Sequence, residues 1–152
     1  RQRQMCIRDS YVNTIATFLT RRCFEQLVLD VGLHDANVRL IGNGGGLVYA
    51  PLGPTHLAFD DVAILRAIPN MTIVAPADAE EMRRFMPLTV EHQGPIYIRL
   101  AKGYDPIVTT DDTPFKIGRA ILMRHIPCVA RGVGTCFWCA GLPLGGGCSG
   151  GR

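Results

Sequence analysis

No stretch of 18 apolar residues occurs in this chain, so nothing in it reads as a membrane-spanning helix. Arg1-Gln2-Arg3-Gln4-Met5-Cys6 has no apolar segment behind it, which removes the secretory-signal reading. Neither GxGxxG nor GxxxxGKT is present, so the usual dinucleotide and P-loop phosphate cradles are missing. Basic residues are scarce where a nucleic-acid interface would need them. The net charge is +3, but residues 1–10 carry +2, residues 125–152 carry +2, and residues 11–124 carry −1. A body without a basic stripe argues against nucleic acid as its partner. Cysteine is equally sparse there: Cys23 is alone between residues 11 and 124, which fits a cytoplasmic chain rather than a disulfide-stapled one.

What is present is a chain of 152 residues, 47% hydrophobic and 19% charged. That is the size and balance of one globular domain. Its two ends differ from its body. The head, residues 1–10, has no periodicity, and its back-translation matches the in-frame reading of a sequencing-library adapter; it is expected to be artefactual or without structure. Residues 125–152 contain neither acid nor Lys, while Gly, Ala, Arg and Pro make up half of them. The expectation is a Gly/Cys-rich tail read out of frame from about His125. Long-read resequencing of the locus tests both expectations, and an uninterrupted reading frame would sink the second. The rival for the tail is a metal site built on Cys136-Phe137-Trp138-Cys139 with Cys128, Cys148 and His125. One true pair and two single cysteines fall short of the two short-spaced pairs of a closed zinc site, so no metal ligand is assigned.

The body, residues 11–124, alternates helical and strand patterns, the sign of an α/β domain on a mainly parallel sheet. Ile15, Phe18, Leu19, Cys23, Leu27 and Val28 recur at three- and four-residue steps, predicting one helix face that ends near Gly32. Val38–Ile41, Met71–Ala75 and Ile96–Leu100 read as strands. Asp60 and Asp61 open a helix closed by Pro69-Asn70, with acids at the positive end of its dipole. Asp78 and Glu81 have capping-box spacing at the start of another helix, in which Pro87 is expected to cause a kink.

The residues leave several chemistries open. The glycine run 42–46 leads into Leu47–Pro54, which is expected not to be a helix, so a flexible loop is favoured over a phosphate site. Gly53-Pro54-Thr55-His56 places a hydroxyl and an imidazole just before a helix. His56 there is either a surface-loop residue or a general acid. His34 and His92 fall near helix ends. Cys23 reads as plain core and Arg21-Arg22 as a solvated face. Arg99 and Lys102, near a strand end, either meet an anion or lie on the surface.

Taken in order, residues 17–30, GPTH (53–56), residues 59–84 and GPIYIRLAKG (94–103) resemble the pyrimidine-binding domain of the transketolase family. That family takes in transketolase, 1-deoxy-xylulose-5-phosphate synthase and, more remotely, the beta subunits of 2-oxoacid dehydrogenases. The resemblance covers about residues 11–108. It implies a three-layer, mainly parallel α/β domain that binds the aminopyrimidine of thiamine diphosphate. A second domain, absent from this chain, is implied to hold the diphosphate and Mg²⁺. The partner is then a homodimer mate or a separate subunit, and the substrate a sugar phosphate or 2-oxoacid whose two-carbon ketol or acyl unit is transferred. The cofactor carries the hard chemistry and the protein orients it. By position, Phe18 matches the aromatic that stacks on the pyrimidine, and Ile15 falls where a second aromatic is usual. His56 matches the histidine that lines the reaction centre. Lys102 falls where an arginine often meets the sugar phosphate, keeping the charge without the fork. Leu52 and Gly44 stand where an acid and a histidine are usual. The activating glutamate is expected on a strand upstream of Tyr11. With that strand and the C-terminal elements expected to be missing, the chain alone is expected to be inactive. The departures keep two alternatives: a non-catalytic binding or regulatory module on the same fold, and a broken gene product.

Overall fold

The computed structural model describes residues 10–112 and 115–121; the expected tail, its CxxC included, lies outside them. Four strands form one parallel sheet in the order β1-β2-β4-β3. They are β1 (Ser10–Ile15), β2 (Val38–Asn43), β3 (Thr72–Val74) and β4 (Ile96–Leu100). The α-helical segments are α1 (Ala16–Thr20), α2 (Phe24–Gln26), α3 (Asp61–Leu65) and α4 (Ala79–Glu91).

The period-two rule of strands explains the three layers. On β4, Ile96 and Ile98 point to one face and pack with Phe85 of α4, all three fully buried. Tyr97, between them, points to the other face and packs with Leu40 of β2, Leu19 of α1 and Leu65 of α3. The sheet is therefore apolar on both sides, as a parallel sheet covered on both faces requires.

The first helical stretch departs from its sequence pattern. Ile15 ends a strand rather than starting a helix face, and Ser10, expected in the head, begins that strand. The 3.6-residue period holds only in part, because Leu19 and Leu27 are buried while the backbone between them breaks. Cys23 adopts φ −124°, ψ 20°, and α1 ends before it. From Leu27 to Gly32 the chain is π-helical, with Leu33 N–H donating to the Val28 carbonyl at 2.9 Å. Gly32 lets this turn press on Ile68, since a Cβ there would lie 2.8 Å from the Ile68 Cγ2. Cys23 is half-buried rather than plain core, and its thiol donates to the Phe18 carbonyl at 3.3 Å.

The second long helix follows its pattern closely. The Asp78 carboxylate accepts from Glu81 N–H at 2.8 Å, and Glu81 reaches back to Ala77 N–H at 2.6 Å. The same Asp78 also accepts from the backbone of Val108 and Thr109 and from the Thr109 hydroxyl. The Glu81 backbone bond first, and the Thr109 and Val108 bonds after it, outweigh burial and hold the Asp78 carboxyl well below the ordinary carboxylate range. Pro87 sits inside α4, and the helix continues through it to Glu91. At the other end, the fully buried Arg39 donates to the carbonyls of Thr89 (2.8 Å), His92 (2.7 Å) and Gly94 (2.9 Å). The first two are acceptors that a helix C-terminus leaves open, and the third belongs to the turn after it.

Candidate functional site

The site lies where the chain leaves the carboxyl ends of the parallel strands, the place open α/β sheets keep for ligands. Three segments meet there: α1 after β1, the loop 44–60 after β2, and residues 101–105 after β4.

Phe18 and His56 come together. Their ring centroids are 5.0 Å apart at 64°, an edge-on contact. Both are half-buried. The Thr55 hydroxyl and His56 Nδ1 lie 2.9 Å apart, which orients the ring. Gly53, with φ +81°, makes the turn that carries this pair, and no neighbouring atom approaches within 4 Å of its Cβ position. A side chain there would therefore be opposed by backbone conformation alone.

Two arginines expected on a solvated face are both engaged here. The Arg22 guanidinium lies 4.1 Å from the Phe18 ring centroid and donates to the Thr55 carbonyl at 3.1 Å. Arg21 makes a two-oxygen contact with Asp60, 3.0 and 2.8 Å, and lies 4.9 Å from the Phe59 ring centroid. Asp60 is the N-cap of α3 by position but makes no side-chain cap bond, because Arg21 takes its carboxylate.

Ile15 pairs in register with Asn43 and does not join the Phe18–His56 contact. Asn43 donates its amide to Asn13 and opens onto a cleft of about 290 Å³. Lys102 lines that cleft with Asp78, Met82 and Tyr104. Its ammonium sits 5.6 Å from the centre of the Tyr49 ring. The four sequence candidates thus fall into two groups, Phe18 with His56 and Lys102 with the cleft, while Ile15 stands at the strand end beside the second.

The glycine run is not a flexible loop. Gly42 and Asn43 belong to β2, and Gly44 and Gly45 donate to the carbonyls of Ala101 and Leu100 at 3.4 and 3.0 Å. Gly44 adopts φ +74°, and the Tyr49 ring fills the space a side chain there would need. The following segment, expected to be non-helical, includes a single 3₁₀ turn at Ala50–Leu52. Leu52 is exposed.

Sequence reading missed the buried polar group beneath the site. Asp61, whose side chain is 1% exposed, accepts from the Tyr97 hydroxyl at 2.9 Å and from Arg99 Nε at 2.8 Å, both on Oδ2. Burial, then the charge of Asp61 and its hydrogen bond, push the Tyr97 phenol above its ordinary range, with Arg99 opposing. Arg99, half-buried, thus meets an anion of the protein itself, the Asp61 carboxylate. Asp60-Asp61 was the available signal, but it read as two helix-dipole acids. Their partners lie 39 and 38 residues away in sequence. Among the described residues no three His, Cys, Asp or Glu cluster as a metal site, and no helix is long and apolar enough to cross a membrane.

Residues 7–104 match the family described as the transketolase pyrimidine-binding domain. An apulose-4-phosphate transketolase subunit from Phocaeicola vulgatus is 37% identical over 106 residues, which are 69% of this chain and 34% of that protein. The 1-deoxy-D-xylulose-5-phosphate synthase of Synechococcus is 38% identical over 112 residues, 72% of this chain and 17% of that one. A split-gene transketolase solved as an inactive beta4 tetramer superposes with a TM-score of 0.64 at 30% identity, covering 78% of this chain and 37% of that one. A transketolase from Pichia stipitis gives a TM-score of 0.58 at 22% identity, covering 64% and 14% of the two chains; it supports the fold alone. The chain spans about a third of the length of the subunit-type relatives it matches.

Proposed function

Because this chain belongs to the transketolase pyrimidine-binding domain family, we propose that it supplies the aminopyrimidine side of a thiamine-diphosphate site in an enzyme that transfers two-carbon ketol or acyl units. The observation that carries this reading is the Phe18–His56 contact, a half-buried aromatic ring and an imidazole held together at the carboxyl edge of the sheet. Phe18 is the stacking surface for the aminopyrimidine. A flat apolar ring at the carboxyl edge of the sheet fits that role, provided the Arg22 guanidinium on the ring shifts or shares it. When bound, thiamine diphosphate supplies the carbanion chemistry.

The remaining roles belong to side chains of this chain. His56, oriented by Thr55, holds or donates a proton at Nε2 beside a substrate hydroxyl or carbonyl oxygen. Lys102, at the rim of the cleft, attracts the substrate phosphate as a point charge rather than as a bidentate fork. Ile15 packs beside the cofactor as an aliphatic wall. The diphosphate and Mg²⁺ are held by another domain, on a homodimer mate or a partner subunit. The Phocaeicola relative is itself one subunit of a transketolase, which supports the second arrangement. On this reading residues 11–124 are the working domain, the assembled enzyme is cytoplasmic, and the chain by itself is inactive. Nucleic acid and membrane are not among its partners.

A second reading, a binding module without catalysis, draws on Tyr49 filling the space beside Gly44 and on the exposed Leu52. One calorimetric titration separates the two. The chain is mixed with the diphosphate-domain subunit from the same source, then titrated with thiamine diphosphate and Mg²⁺. Binding that is lost in Phe18→Ala supports the catalytic site. Binding without ketol transfer by the wild-type pair supports the module, and no binding at all overturns both.

A further inference from the structure

His56 stands on a loop that is closed at its base. Gly46 and Ala58 exchange two backbone hydrogen bonds, Gly46 N–H to Ala58 at 2.8 Å and Ala58 N–H to Gly46 at 3.0 Å. Everything between them, including Tyr49, Thr55 and His56, projects from that closure. A side chain from the sheet reaches it. Arg99 of β4 donates Nε to Asp61 at 2.8 Å, just past the loop, and Nη2 to the Ala58 carbonyl at 3.3 Å, two residues from His56. The fit is close: a Cβ at Gly45 would lie 2.8 Å from both the Nε and the Cζ of Arg99.

We infer that Arg99 is a positioning residue for His56, acting through the base of this loop. Its planar fork spans two acceptors, the Asp61 carboxylate and the Ala58 carbonyl, that belong to different segments. It thereby fixes the distance between α3 and the loop, and with it where His56 meets Phe18. Tyr97 shares the Asp61 Oδ2 atom, and its hydroxyl donates there rather than to the loop. Tyr97 is therefore the internal contrast, part of the same buried group without the link to the loop. The catalytic meaning of this role rests on the functional reading above; the geometric role does not.

The test follows the His56 ring protons by NMR in the full chain without cofactor, assigned with His56→Gln. The Phe18 ring displaces these signals from free-imidazole positions. Arg99→Lys keeps a cation for Asp61 but cannot span to Ala58, and it should lose most of that displacement. Gly45→Ala, at a position where an ordinary side chain is allowed, pushes the guanidinium away and should do the same. Tyr97→Phe should lower the melting temperature and leave the His56 signals in place. The inference is overturned if folded Arg99→Lys keeps the wild-type signals, or if Tyr97→Phe moves them equally. Should Arg99→Lys not fold, Gly45→Ala decides by the same criterion. In the assembled enzyme the expected cost of Arg99→Lys is about 10²-fold in kcat with little change in KM, the scale of an ångström-size misplacement. Failure to bind thiamine diphosphate would sink the functional reading and leave the NMR result standing.

Discussion

The two faces of the sheet use buried charge in different ways. On the α4 face, Arg39 gives Nε, Nη1 and Nη2 to three backbone carbonyls, and Asp78 accepts from three backbone N–H groups and a hydroxyl. These charges tie neighbouring segments of the chain to α4. On the α1 and α3 face, Asp61 receives two donors on Oδ2, while its buried Oδ1 has no hydrogen-bond partner, and the buried Thr17 hydroxyl has none either. That same face carries Phe18, His56 and the glycine turn pressed against Tyr49 and Arg99. The first side is mainly scaffold and adds Asp78 and Met82 to the wall of the cleft; the second holds the Phe18–His56 pair.

The contrast breaks most visibly at Arg39. Arg39→Met removes the charged donor from the Thr89, His92 and Gly94 carbonyls at once. The expected loss is about 3–5 kcal/mol of unfolding free energy, read from denaturant midpoints. If the faces are separate, a variant rescued by low temperature keeps the Phe18–His56 contact. Tyr97→Phe should cost less, about 1 kcal/mol, because Arg99 still satisfies Asp61 Oδ2.

On the site side the order reverses, with binding changing more than stability. Phe18→Leu removes an aromatic that is only half-buried, and melting temperature should move little. Affinity for thiamine diphosphate in the assembled enzyme should fall about tenfold, the value of one ring–ring contact of about 1.4 kcal/mol. A loss of stability with unchanged affinity would make Phe18 ordinary helix core.

Much of the scaffold was legible, and little of the site's support was. Ile96-Tyr97-Ile98 alternates as a two-faced strand must, and Asp78-x-x-Glu81 is a local signal that the chain honours in place. The ordered motifs around Gly53–His56 and Ile68–Asn70 carried the family. The start of the domain misled because Ile15, Phe18 and Leu19 keep helical spacing across a strand–helix boundary, and spacing does not record where a backbone changes conformation. Arg21 and Arg22 are exposed, as expected, but their partners Asp60 and the Thr55 carbonyl were not legible. The pairing of Asp61 with Arg99 was illegible for the same reason: each is explained by a partner dozens of residues away. Asn70 is similar: it donates to the Gly32 carbonyl at 2.9 Å and to Asp35 at 2.8 Å, bracing the π-helical turn that no local pattern announces.

Acid sharpens the comparison further. The Asp78 carboxyl is held below its unfolded value, so its contribution is fully present above about pH 4 and is lost as pH falls below that toward the folded value. Wild type and Asp78→Asn should therefore differ in denaturant midpoint at pH 7 and converge toward pH 2. Parallel curves would assign the acid sensitivity to other carboxylates.

The smallest effect expected lies at His92, the C-cap of α4. Its Nε2 is 3.1 Å from the Thr72 hydroxyl and its carbonyl faces Arg39. Burial first, and the Arg39 charge second, lower its pKa, with Asp35 pulling the other way. A lowered histidine takes up its proton later in the folded chain than in the unfolded one. Stability therefore declines as pH drops through about 6.5 and levels off once the folded imidazole is also charged. His92→Gln should remove this slope from melting temperatures measured between pH 8 and pH 5. His56 lies on the opposite face, beside Phe18. His92→Gln should therefore leave the rate profile of the assembled enzyme unchanged while it flattens the stability profile. A shared change in both profiles would mean that the two faces are coupled through the sheet.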